Sequence, residues 1–155
     1  MEQYIKPFID VCVNVFKSLI NENVTVKTPY FLEKDAIVGN DISAVIGLTG
    51  EARGAVIVSM QQKLAIRLTD LLTGSPHTKI DDDVADAIGE IVNIIAGNAK
   101  QGLEESMKII ISLPTIIRGN GHVIMWPGTH TRILCIPFKV FDDDIFTLLV
   151  AIEGA

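Results

Sequence analysis

Glu90 and Asn93 stand three residues apart in a stretch whose apolar residues recur at helical spacing. On a helix, side chains three apart carry Cβ atoms about 5–6 Å from each other, so the two point the same way, one turn apart. The carboxylate accepts a proton or pairs with an ammonium group. The carboxamide holds a donor and an acceptor on one rigid group and orients a water without adding charge. A thin polar line continues on both sides: Asp83, Asp86, Glu90, Asn93, Gly97 and Lys100, at intervals of three and four. Most of the remaining circumference is apolar, with Val84, Ile88, Ile91, Ile95, Ala99 and Leu103 widened by Ala87, Val92, Ile94 and Ala96. Such a stripe is narrow for a merely solvated face. Gly89 and Gly97 flank the pair, and each costs about 1 kcal/mol against Ala inside a helix. A glycine there lets another molecule approach closely. Asn is also a mediocre mid-helix residue. The stripe is a docking surface, with Asp86, Gly97 and Lys100 as candidate partner-binding residues beside Glu90 and Asn93.

The elements that must position this stripe are legible from periodicity. Residues 4–21 form a first helix, with Ile5, Phe8, Ile9, Cys12, Val15, Phe16 and Leu19 at helical spacing. Residues 24–28 alternate as a strand ended or bent by Pro29, and strands 44–49 and 55–60 make a hairpin about the turn Gly50–Gly54. A second helix, 61–73, stops at Gly74 with Pro76 beyond. The long third helix begins after Asp81-Asp82-Asp83, which supply a cap and favour the positive end of its dipole, and runs to about Glu105. Strands follow at 108–113, 115–118, 122–126, 132–140 and 146–152, with tight turns at Gly119-Asn120-Gly121 and Asp142-Asp143-Asp144. Val13-Asn14-Val15-Phe16 parallels Val92-Asn93-Ile94-Ile95, and each helix leads into a β run carrying Thr-Pro or Pro-Thr. The halves 7–60 and 84–153 are therefore read as a pseudo-two-fold repeat with the second helix between them. The expected fold is α+β: one antiparallel sheet with two long helices packed on one face, in a single domain spanning 1–155.

Composition bounds the partners. The 155 residues are 48% hydrophobic and 21% charged with a formal net charge of −6, so a sizeable core is available. The absence of a Lys/Arg cluster makes nucleic acid a poor partner. No run approaches the roughly 20 apolar residues that span a bilayer, and Glu2, Lys6 and Asp10 break any signal-peptide core. Cys12 and Cys135 lie among apolar neighbours without metal-ligand spacing, as buried thiols in a reducing cytoplasm would.

Glu90-Ile91-Val92-Asn93 with Gly97 four residues on, Glu-x-x-Asn-x-x-x-Gly, resembles the signature of the CheC/CheX/FliY phosphatase family. The long helix, the acidic run before it, the Pro-containing strand after it and the chain length extend the resemblance over essentially the whole sequence. Three residues before Asn14 stands Val11 rather than Glu, so a single site is expected, as in CheX-type members, with Asn14 a structural relic. The resemblance implies a phosphatase that hydrolyses the aspartyl phosphate of a CheY-like receiver. Asn93 would position the attacking water, and Glu90 would engage the receiver's lysine or, alternatively, act as a base. It implies no cofactor of the protein's own, with Mg2+ on the receiver, and a cytoplasmic homodimer joined through sheet edges. A non-catalytic receiver-binding or flagellar-switch module is the rival reading, and a small-ligand sensor a further one.

Other features have blander readings. Asp142–Asp144 reads as a solvated turn. His77, His122 and His130 lack zinc spacing, and Ser75, Ser106 and Ser112 lack a nucleophile motif. Trp126-Pro127-Gly128 reads as a strand end, and Phe146–Ile152 as a strand buried on both faces or in a subunit interface.

Overall fold

A computed structural model describes residues 2–32, 40–122, 124 and 132–154. The elements, in order, are α1 (Glu2–Ile20), β1 (Thr25–Val26), β2 (Tyr30–Phe31), β3 (Asn40–Gly50), β4 (Ala52–Met60), α2 (Gln62–Thr73), α3 (Asp82–Leu103), β5 (Ile109–Ile111), β6 (Thr115–His122), β7 (Leu134–Val140) and β8 (Asp144–Gly154). All eight strands join one antiparallel sheet in the order β1-β7-β8-β4-β3-β5, with β2 beside β1 on β7 and β6 beside β5 on β3.

That order contains the repeat. Each half supplies a helix, two short strands and a hairpin, and the short strands pair with the other half's hairpin. From β1 to β2, five steps (Thr25 to Tyr30) span four on β7 (Lys139 to Cys135). From β5 to β6, six steps (Ile109 to Thr115) span five on β3 (Gly50 to Val45). Both insertions gain one residue, and both contain a proline, Pro29 and Pro114, which has no N–H to give a ladder.

Strand alternation separates two apolar layers. Ile42, Ala44 and Ile46 on β3, Val56, Val58 and Met60 on β4, Ile136 and Phe138 on β7, and Phe146 and Leu148 on β8 are buried beneath the helices. Phe146 stacks between Phe16 of α1 and Phe138, with ring centroids 4.5 and 5.0 Å away. On the opposite face Ala55, Ile57, Ile133, Cys135, Leu149 and Ala151 form a second buried cluster. β8 is thus buried on both faces. It lies between β4 and β7 in the sheet interior, so the C-terminal strand is not an edge open to a subunit partner.

Several expected boundaries are corrected. Of the alternating segment 24–28 only Thr25 and Val26 enter the sheet, because Pro29 breaks the run. The hairpin of β3 and β4 turns at Glu51, and Gly54 lies within β4, where a Cβ would overlap the Ala151 carbonyl oxygen. Gly119-Asn120-Gly121 is not a hairpin turn. It is a bulge inside β6, where four steps from Arg118 to His122 match two on β3, with Gly119 and Gly121 at φ of 147° and 69°. A polar chain holds this bulge: Asn40 donates to Ser59, Ser59 and Ser43 lie 2.7 Å apart, and Ser43 meets His122 Nε2 at 2.6 Å. His122 Nδ1 lies 2.8 Å from the Gly119 carbonyl. The other acidic turn comprises residues 141–143, and Asp144 begins β8 with its carboxylate 3.7 Å from Arg67 and 3.8 Å from Lys63 of α2. Trp126-Pro127-Gly128 and His130 lie outside the described residues.

Candidate active site on the third helix

α3 starts where the acidic run can cap it. Asp81 has extended backbone angles, and its carboxylate accepts from the Val84 N–H at 3.0 Å. Asp82 and Asp83 occupy the first turn, at the positive end of the dipole. Arg118 of β6 ties this end to the sheet, bonding Asp82 at 2.8 Å and reaching the Ile80 carbonyl at 3.4 Å. Val84, Ile88, Ile91, Val92, Ile95, Ala96, Ala99 and Leu103 are buried. Their burial fixes the rotation of the helix, and therefore which side faces outward.

The outward side is the expected stripe. Asp83, Asp86 and Glu90 are exposed, while Asn93, Gly97 and Lys100 are half-buried. The five candidate residues Asp86, Glu90, Asn93, Gly97 and Lys100 therefore share one line along the helix. Lys100 is engaged within it, with its ammonium 3.4 Å from Glu104 one turn on. Among the described residues, the side-chain bonds and ion pairs of α3 run through Asp81, Asp82, Asp83 and Lys100, and none involves Glu90 or Asn93. A carboxylate and an amide with their bonding capacity turned outward are free to engage another molecule.

The two glycines have different reasons. A Cβ on Gly89 would stand 3.3 Å from Ile116 Cδ1 and 3.7 Å from Pro114 Cγ, so this glycine lets α3 approach the sheet. Its place in the helix is explained by packing against the sheet. A Cβ on Gly97 would meet nothing within 4 Å. No internal contact requires a glycine there.

One cluster escaped the reading of the sequence. His77, in the connection between α2 and α3, has a side chain 6% exposed; its Nδ1 lies 2.8 Å from Asp70, and its Nε2 3.5 Å from Asp83. The hydrogen bond to Asp70 raises its pKa above the ordinary histidine value; burial opposes this, and Asp83 and the charges of Asp81 and Asp70 add to it. His77, Asp81 and Asp83 place three possible ligand atoms within 4.8 Å of one another. The signal was a histidine four residues before an aspartate, and it was read only for cysteine and histidine spacing.

The space among Phe16, Leu19, Ile20, Leu68, Leu72 and Ile91 is about 10 Å³, room for about one water.

The fold and the stripe together define a duplicated α+β protein that presents a Glu-x-x-Asn helix from one of its two halves. Residues 42–139 match the family described as Chemotaxis phosphatase CheX, and the chain belongs to that family. It is 29% identical over 117 residues to the CheY-P phosphatase CheX of Thermotoga maritima, covering 74% of each chain. Among solved structures, a CheX from Desulfovibrio desulfuricans superposes with a TM-score of 0.86 at 31% identity, covering 97% of this chain and 99% of the other. A CheX from Borrelia burgdorferi, solved as a CheX-CheY-BeF3-Mg2+ complex, superposes at 0.82 and 26% identity, covering 97% and 98%. No helix among the described residues is long and apolar enough to cross a membrane.

Proposed function

We propose that the protein hydrolyses the aspartyl phosphate of a CheY-like receiver domain, with Asn93 positioning the attacking water and Glu90 fixing the docked helix. The observation that carries this reading is the outward line on α3, where Glu90 and Asn93 stand one turn apart with no partner among the described residues. An aspartyl phosphate is an activated acyl phosphate. Its hydrolysis in a receiver is slowed by the lack of a water held in line with the leaving oxygen. The receiver brings its own Mg2+, lysine and hydroxyl side chain, so the partner need only place the nucleophile. The Asn93 amide does so without setting negative charge against the phosphoryl group, and its rigid, half-buried position limits the freedom lost on docking. Glu90, exposed one turn away, pairs with the receiver's lysine and sets how far the helix inserts. Asp86 and Lys100 make rim contacts, and Gly97 leaves space for the receiver's backbone.

Localisation in the cytoplasm fits two free, buried thiols. A homodimer would use the outer strands, where Ile110 of β5 and Leu113 just after it are 65% and 86% exposed and Tyr30 of β2 is 50% exposed. The test is single-turnover dephosphorylation. Asn93→Ala should lower the rate by about two to three orders of magnitude, as removal of one positioning group commonly does. A loss under about tenfold would sink the water-positioning role, because a group that orients the nucleophile is not so cheaply dispensed with.

A further inference from the structure

α1 and α3 run antiparallel on the helical face: Phe16, Leu19 and Ile20 meet Ile91 near one end, and Pro7 comes near Gly102 at the other. Between them lies an open groove of about 240 Å³, lined by Asn14, Val15, Ser18 and Leu19 from α1 and by Ile94 and Asn98 from α3. The repeat that carries residue 13 to 92 also carries Asn14 to Asn93, Val15 to Ile94, Ser18 to Gly97 and Leu19 to Asn98. The groove therefore sits on the pseudo-two-fold axis, and its α3 wall adjoins the stripe. At about 100° per residue, Ile94 and Asn98 lie about 40° and 80° around the helix from Glu90.

We propose that this groove is the part of the docking surface that sets affinity for the receiver, seating one uncharged side chain of the receiver whose apolar body packs on Val15, Leu19 and Ile94 and whose polar tip bonds the amides of Asn14 and Asn98. The inference rests on the phosphatase reading and assigns a role to Asn14 beyond a relic of duplication. Charge favours this occupant. The groove is lined by amide, hydroxyl and aliphatic groups alone, in a chain of net charge −6. A carboxylate set without a cation against the receiver's phosphoryl group would repel it. An uncharged slot supplies hydrogen bonds and apolar burial without that repulsion. Size agrees. The groove is smaller than the roughly 300–1,000 Å³ of small-molecule pockets, and it suits a side chain protruding from a protein surface. Gly97, on the stripe one residue before Asn98, has nothing within 4 Å of a would-be Cβ, so one partner can span stripe and groove.

The test is Ser18→Trp, at an exposed position on the groove wall, with Lys17→Trp as the exposed control outside the groove and Asn98→Trp blocking from α3. Affinity for a beryllofluoride-activated receiver with Mg2+ and steady-state kcat and KM would both be measured. The groove variants should raise Kd and KM by about tenfold or more with kcat within about twofold of wild type, the pattern of lost uniform binding, while Lys17→Trp behaves as wild type. Unchanged Kd and KM in the groove variants would overturn the proposal, as would a fall in kcat alone. If the wild type fails to accelerate dephosphorylation, the phosphatase reading falls, while the Kd measurements still decide the groove.

Discussion

Gly89 and Gly97 give a matched pair in which the same substitution should have opposite consequences. Both lie inside α3, so replacement by Ala gains about 1 kcal/mol of helix propensity in each case. At position 97 nothing offsets the gain, since the new methyl meets no atom within 4 Å. For a chain of this length that gain corresponds to a Tm increase of about 2–4 °C. At position 89 the methyl would stand 3.3 Å from Ile116 Cδ1 and 3.7–3.8 Å from Pro114. Ile116 Cδ1 must give by a few tenths of an ångström, and that cost offsets the propensity gain, so Gly89→Ala should melt at or below wild type. Activity should divide the other way. A methyl on the docking line holds the receiver off by roughly 1 Å, and a misplacement of that size costs about 10²-fold in rate. Thermal melts and single-turnover dephosphorylation of the two variants make the assay. Gly97→Ala should be more stable and about 10²-fold slower. If it is more stable and fully active, Gly97 is not on the docking surface and the reasoning fails.

The remaining predictions concern the frame. The folded pKa of His77 lies above its unfolded value of about 6.5, so its stabilising contribution is full below that value and is lost as pH rises through the folded pKa. The Tm difference between wild type and His77→Gln should therefore be larger at about pH 6 than at about pH 8.5; an equal difference would show that the imidazolium bridge between Asp70 and Asp83 contributes nothing. Cys12 and Cys135 are both fully buried, and burial raises both thiol pKa values, with Tyr30 partly opposing this at Cys135. The native protein should leave both unreacted with an aromatic disulfide reagent and release two equivalents on denaturation; rapid reaction of either in the native state would refute the packing described.

What the sequence disclosed is what local periodicity and capping encode. α3 was legible because its apolar residues recur over six turns and Asp81 stands at its cap. The shared direction of Glu90 and Asn93 followed from their spacing, and their choice as the candidate pair rested on the resemblance of Glu-x-x-Asn-x-x-x-Gly to the family signature. Long-range choices left no such trace. Nothing in 109–111 or 115–122 says that these strands pair with β3 of the other half. The amide of Gln62 that opens α2 is capped by Asp41, 21 residues earlier and on a different element. Gly119 and Gly121 permit a turn and a bulge equally, and only the partner strand decides between them. Gly89 and Gly97 look alike in sequence; the neighbours Ile116 and Pro114, brought in by the sheet, distinguish a packing glycine from an open one.

The most direct test of the central claim is release of inorganic phosphate from a phosphorylated CheY-like receiver in Mg2+, with and without this protein. Wild type should accelerate release, and Asn93→Ala and Glu90→Ala, folded by thermal melt, should each abolish most of that acceleration. Tight binding of the phosphorylated receiver with no acceleration of phosphate release would contradict the phosphatase account and leave α3 as a docking helix only.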